Sequence, residues 1–284
     1  MITKLDILYE DQDLIVLNKP SALTVNRSST MKAQTVQDWL VKKFGEEYFT
    51  RNFWEKDLSY QNLIPIDFTD EFGDVFATWQ ERLGVVHRLD KDTSGVLILA
   101  KNPGSLLNLL AQFKKRQTQK TYLALVHGHF SDKKGVINAP MARNSQNRLK
   151  FAIDNNGRQA VTEYKVVKEF SALNEATIKQ VTELSKSKTK KVKELYQAGF
   201  SLVEVAPKTG RTHQIRVHMA AMQHPIVGDQ LYVGRKRAKL DSFWCQRQFL
   251  HAQSIEFLHP RTQEKIFVEA PLSADLQQIL KLVL

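Results

Sequence analysis

Val85-Val86-His87-Arg88-Leu89-Asp90-Lys91-Asp92-Thr93-Ser94-Gly95-Val96-Leu97-Ile98-Leu99-Ala100 sets two apolar runs on either side of a polar stretch. The run Val96–Ala100 is continuous and short, the pattern of a strand buried on both faces. His87 to Gly95 then reads as a loop held at both ends by core strands. Directly after it, Asn102 is placed to cap a helix that Pro103 opens, with Leu106, Leu109, Leu110 and Phe113 as its buried stripe.

The same alternation of short apolar runs and turn signals continues outward. Leu14–Leu17 reads as a strand with Asn18-Lys19-Pro20 as its exit, and Thr35 as the N-cap of a helix reaching Phe44, with Val36, Trp39, Leu40 and Lys43 along one face. Tyr122–Val126, Ala160–Val167 and Phe200–Ala206 read as further strands. Helical spacing returns from Thr212 to Met222, with Ile215, Met219 and Met222 on one face, and again at Ala274–Val283. Strands outnumber helices without alternating regularly with them, which predicts an α+β fold around a mixed, mostly antiparallel central sheet flanked by helices and loops.

Two segments stand apart in composition. Residues 45–83 carry nine acidic side chains against three basic ones, net −6, together with nine aromatics: Tyr48, Phe49, Phe53, Trp54, Tyr60, Phe68, Phe72, Phe76 and Trp79. So many rings predict an ordered insertion rather than a disordered linker. Residues 181–197 are lysine-rich, with Lys186, Lys188, Lys190, Lys191 and Lys193, and read as a solvated loop.

The 284 residues carry a net charge of +11, so everything outside 45–83 sums to +17. That balance points to a polyanionic partner. No stretch has the length of a membrane span and Met1–Glu10 lacks a signal-peptide pattern, from which a cytoplasmic protein is expected. One cysteine, Cys245, excludes an internal disulfide and a cysteine-based metal cluster.

The loop places a carboxylate beside His, Arg, Thr and Ser on a rigid scaffold, where catalytic groups tend to sit; taken alone, a turn whose Asp and Thr satisfy their own backbone is the better account. A second polar segment is Lys208-Thr209-Gly210-Arg211-Thr212-His213-Gln214-Ile215-Arg216-Val217-His218, a strand exit turning into a helix, where Gly210 permits the turn. Arg216 falls at the edge of the apolar face. Buried there, its guanidinium needs a carboxylate partner; alternatively the stem packs while the head reaches water.

The two segments together resemble the signature segments of the RluA-like RNA pseudouridine synthases. His-Arg-Leu-Asp, two variable residues and Thr-Ser-Gly are met at His87 to Gly95, and Thr-Gly-Arg-Thr-His-Gln-Ile-Arg-Val-His at Thr209 to His218. Weaker family-like stretches are Leu14–Pro20, Lys120 to Val126, Pro225 to Asp229, and Leu250 to Ala252, so the resemblance runs through nearly the whole chain. Where relatives carry glycine two residues after the Asn-Lys-Pro triplet this chain has Ala22, and Asn26 stands where histidine is common.

The resemblance implies one catalytic domain over 1–284, with 45–83 and 181–197 as insertions and no separate N-terminal RNA-binding domain. It makes Asp90, not Asp92, the catalytic nucleophile, with Arg216 as its ion-pair partner and Tyr122 stacked on the target base. Arg88 enters the RNA stack as the uridine flips out, and His87, Thr93, Arg211 and His213 join it as RNA-contacting or base-flipping residues. The implied substrate is ribosomal or transfer RNA, and no cofactor, metal, membrane or obligatory protein partner is expected of what should be a monomer.

That chemistry suits these residues. Pseudouridine formation detaches uracil, turns it and rejoins it through carbon 5, with no oxidation, hydrolysis or energy source. A carboxylate serves as covalent nucleophile at ribose or at the uracil ring, and an arginine keeps it ionised. Lys114-Lys115-Arg116, Arg143, Arg148, Lys150 and Arg235-Lys236-Arg237 are candidates for phosphate contacts. Two rivals are a noncatalytic RNA-binding protein of the same fold, and a metal-dependent nuclease using His87, Asp90, Asp92, His213 and His218, whose spacing fits no established ligand pattern.

Overall fold

The computed structural model describes residues 4–28, 33–66 and 74–284. It has helices and sheets in the α+β arrangement expected, organised as two compact units: Met1–Gln119 with Ser254–Pro271, and Lys120–Gln253 with Leu272–Leu284.

In the first unit, β1 (Asp6–Glu10), β2 (Leu14–Lys19) and β3 (Ser94–Ala100) form consecutive antiparallel ladders. All seven residues of β3 are buried. Each of its large aliphatic side chains contributes about 1.5–3 kcal/mol of hydrophobic stabilisation, so the loop before β3 hangs from a fully buried strand. The β2–β3 register pairs Lys19 with Gly95 and Leu14 with Ala100. Gly95 has φ +111°, a conformation that side chains other than glycine rarely adopt, which explains the glycine closing the Thr-Ser-Gly triplet.

Helix α1 (Val36–Phe44) starts with a complete capping box, Thr35 and Asp38 each bonding the other's backbone. After α2 (Arg51–Trp54) and α3 (Val75–Arg82) comes α4 (Pro103–Lys114), capped by the Asn102 side chain on the Ser105 amide at 2.7 Å. Both caps sit where the sequence places them. The insertion is ordered over its described residues: Tyr48, Phe49, Phe53, Trp54 and Trp79 pack ring against ring, and the indoles of Trp54 and Trp79 both donate to the Tyr48 carbonyl. Phe68 and Phe72 lie outside the described residues. The C-terminal part of β10 (Leu250–Leu258) and β11 (Lys265–Glu269) add a hairpin, with Ser254 opposite Glu269.

In the second unit, β4 (Gln119–His127), β9 (Phe200–Pro207), β8 (Val161–Phe170) and β5 (Lys134–Asn138) lie side by side in antiparallel ladders. A separate ribbon pairs β6 (Met141–Arg143) with β7 (Phe151–Ile153). Helices α7 (Gln214–Ala221), α8 (Arg235–Asp241) and α9 (Ala274–Leu280) belong to this unit, as does one helical hairpin.

That hairpin corrects the reading of the lysine-rich stretch. It is not a solvated loop but α5 (Glu175–Ser185) and α6 (Thr189–Tyr196). Ile178 and Val181 on α5 and Val192 and Tyr196 on α6 face the core, while Lys186, Lys188, Lys190, Lys191 and Lys193 are exposed. The run of lysines masks an i, i+4 apolar pair, enough to seat a short helix against its neighbours. Of the stripe expected on α7, Ile215 and Met219 are buried but Met222 is exposed, beyond the helix end.

Candidate active site

The first unit carries His87, Arg88, Asp90 and Thr93 on the loop entering β3. His87 anchors it: its Nε2 accepts the Ile98 amide at 3.0 Å and its ring stacks on Phe113, centroids 4.7 Å apart. Leu89 and Thr93 are buried, Asp90 is half-buried and Arg88 is exposed. The Thr93 amide donates to the Asp90 carbonyl at 3.1 Å, closing a tight turn over residues 90–93.

Lys19 fixes the same loop from 72 residues earlier in the chain. Although fully buried, its ammonium has three carbonyl acceptors, Pro20 and Leu23 at 2.8 Å each and Lys91 at 3.1 Å. Three donors meet three acceptors, which is how a charge can stay buried. The residue after Asp90 is thereby tied to the end of β2. The turn that wraps the ammonium contains Ala22 at φ +61°.

Tyr122, Arg211, His213 and Arg216 belong to the second unit. Tyr122 lies on β4 opposite Val205 of β9, half-buried along the core. Burial pushes the nearby Lys120 ammonium down to about 8. The turn before α7 is closed by the Gln214 side chain: Oε1 accepts from the Thr209 hydroxyl at 2.7 Å and the Arg211 amide at 3.0 Å, and Nε2 donates to Val161 and Thr162, both at 2.9 Å. Arg211 donates through Nε to the Gln159 carbonyl at 3.1 Å.

The left-handed residue of this turn is His213, at φ 58° and ψ 19°, not Gly210 as expected. A Cβ added at Gly210 meets nothing within 4 Å. A non-glycine residue held in that region is strained, and such strain concentrates at functional positions.

Arg216 is 5% exposed and pairs in a fork with Asp229, Nε to Oδ2 at 2.7 Å and Nη2 to Oδ1 at 2.9 Å. The guanidinium does not reach for water; its burial is met by the Asp229 carboxylate. Oδ1 of Asp229 also accepts the Leu231 and Tyr232 amides, at 2.9 and 3.2 Å, so the carboxylate is itself pinned. One residue earlier, the Gly228 amide donates to the buried Asp241 carboxylate at 3.1 Å, which is shared with His127 Nε2 at 2.8 Å and the Tyr196 hydroxyl at 2.9 Å. Burial, with the neighbouring Asp241 charge, pushes the Tyr196 phenol well up, so it stays a donor. The α6 helix is thus bonded to the turn that presents Asp229.

Lys19 and Asp229 lie in the family-like stretches Leu14–Pro20 and Pro225–Asp229, the only sequence signal they give; neither burial nor partner is visible there. The ligand set of the nuclease reading comes apart. Both ring nitrogens of His218 are engaged in the core, Nδ1 with the Thr162 hydroxyl at 2.8 Å and Nε2 with the Ala139 carbonyl at 3.1 Å, while His213 Nδ1 faces the Tyr232 hydroxyl at 2.9 Å. Burial holds the His218 imidazole below its ordinary range, in the neutral form. Among the described residues, Asp11, Asp13 and His259 could reach one ion. Their atoms already serve an internal network, His259 on Asp11 at 2.8 Å and Arg261 forked onto Asp13 at 2.7 Å twice.

The RNA pseudouridylate synthase family model matches residues 13–221. The ribosomal large subunit pseudouridine synthase C of Vibrio cholerae is 34% identical over 276 residues, 96% of this chain and 68% of the relative. The ribosomal large subunit pseudouridine synthase D of Blochmanniella floridana is 33% identical over 289 residues, 98% and 73% of the two chains. The solved human RNA pseudouridylate synthase domain containing 1 shares the fold, with a TM-score of 0.63 at 24% identity over 97% of this chain and 89% of that one. The protein is therefore an RNA-modifying isomerase. It belongs to the RNA pseudouridylate synthase family, in its RluA-like branch.

Proposed function

We propose that this enzyme isomerises uridines of ribosomal RNA in the large subunit, with Asp90 as covalent nucleophile and Arg216 as its ion-pair partner. The observation that carries the pairing is the Arg216 fork. Asp229 engages Nε and Nη2 and fixes the guanidinium; the five N–H donors of a guanidinium are enough for more than one carboxylate. Such a pair orients the Asp90 carboxylate for attack. In the reaction the glycosidic bond to N1 of uracil breaks and a bond from carbon 5 to ribose forms. The proton on carbon 5 is lost and N1 takes one up.

Tyr122, half-buried on its strand, stacks on the extruded uracil. Arg88, exposed on the loop, fills the gap in the RNA stack and offsets part of the few kcal/mol that extrusion costs. His87 and Thr93, with Arg211 and His213, contact the RNA or assist the flipping. The two units act as one catalytic domain, a reading supported by a family match that runs through both. The names of the curated relatives favour ribosomal over transfer RNA. Mapping pseudouridines in both RNAs, with and without the gene, tests this. The expected result is loss of sites in large-subunit RNA alone; loss confined to transfer RNA refutes the substrate.

A further inference from the structure

Tyr232 lies outside both signature segments, yet contacts from three directions meet on it. Its ring lies over the Arg216 guanidinium, 5.2 Å from centroid to Cζ. Its backbone N–H donates to Asp229 Oδ1, the oxygen that also receives Arg216 Nη2. Its hydroxyl accepts the Phe151 amide of β7 at 2.9 Å and shares a hydrogen bond with His213 Nδ1 at 2.9 Å.

A forked ion pair fixes a guanidinium within its own plane but leaves it free to rock about the axis joining the two groups. A ring against its face removes that motion, and the attraction of a cation for a π-face favours the contact. The ring is tethered at its edge as well. Its hydroxyl is held from two elements, the β6–β7 ribbon and the left-handed residue before α7, so the strained backbone of His213 has a use: it aims the imidazole at the tyrosine.

We propose that Tyr232 is a positioning residue for pseudouridine formation, setting the plane of the Arg216 guanidinium against its second carboxylate. The proposal rests on the reading of Arg216 as partner of the nucleophile. It requires the ring more than the hydroxyl.

The test measures release of tritium from RNA labelled at carbon 5 of uridine, using the full chain and its Tyr232→Leu, Tyr232→Phe and Arg216→Lys variants. Tyr232→Leu should lower kcat by on the order of 10-fold while KM for RNA stays within about threefold. Tyr232→Phe, which keeps the ring, should recover most of that loss. In the Arg216→Lys background, where there is no guanidinium plane to set, Tyr232→Leu should change kcat by less than about twofold. If Tyr232→Leu does not fold, Tyr232→Trp and Tyr232→Phe carry the comparison, both expected near wild type. Wild-type kcat in Tyr232→Leu, equal losses in the Leu and Phe variants, or full additivity with Arg216→Lys overturns the proposal. Wild-type kcat in Arg216→Met overturns the parent reading instead.

Discussion

Replacing Lys19 by methionine removes a buried ammonium while keeping the length of the side chain. The carbonyls of Pro20, Leu23 and Lys91, at 2.8, 2.8 and 3.1 Å, lose their donor together. Each buried polar group left unsatisfied costs about 1–3 kcal/mol. Against this stands the desolvation of the ammonium, which the variant no longer bears, and the exposure of Pro20, whose carbonyl can turn to water. A net loss of about 2–4 kcal/mol follows. For a protein of this size that is a fall in Tm of roughly 5–15 °C.

A second consequence separates this from ordinary destabilisation. The Lys91 carbonyl is the loop's tie to β2, and a displacement of about 1 Å at the reacting group can lower turnover about 100-fold. Thermal unfolding followed by circular dichroism gives the first number. Tritium release, measured well below the variant's own Tm, gives the second. A Lys19→Met protein that melts within about 2 °C of wild type and turns over normally refutes the claim that this ammonium organises the Asp90 loop.

Two further expectations concern stability. Ala22→Gly relieves a left-handed alanine at φ +61°; the relief of about 1–2 kcal/mol exceeds the extra entropy that glycine loses, about 0.5–1 kcal/mol, so a gain of about 0.5–1 kcal/mol should appear as a higher urea midpoint at unchanged slope. A lower midpoint contradicts the strain. Burial holds His218 neutral in the folded protein, whereas the unfolded chain takes up a proton near its ordinary value. Its contribution is therefore fully present above about pH 6.5 and lost as pH falls below that. Urea titrations at neutral and mildly acid pH should show a smaller acid loss in His218→Gln than in wild type; equal losses assign the effect to other groups.

How far the sequence could be read depended on the kind of signal each element leaves. Strand β3 was legible because a continuous apolar run has few other readings, and α1 and α4 because Thr35 and Asn102 announce their starts. The short ribbon β6–β7 leaves no such trace: Met141–Arg143 and Phe151–Ile153 are three residues each and mostly not buried. Helix α6 was hidden by its own lysines. At the site, the segments around Asp90 and Arg216 were recognisable as segments, but their supports are contacts between distant residues. A lysine is almost never fully buried, so nothing in the chain marks Lys19 as core. Asp229, 13 residues after Arg216, and Tyr232 become visible only once the turn between them folds back. Glycine tolerates left-handed backbone, which points to Gly210 in the sequence, whereas the chain uses His213 and holds it through its side chain.

The central claim is that Asp90 forms the covalent link. Asp90→Asn keeps the size of the side chain and its place on the loop, and removes the nucleophilic charge. Incubated with large-subunit ribosomal RNA from cells lacking the gene, wild-type protein should release tritium from carbon 5 of the target uridine. The variant should release none above background while binding the same RNA within about threefold of the wild-type Kd, less than about 0.7 kcal/mol. Turnover surviving in Asp90→Asn would contradict the account.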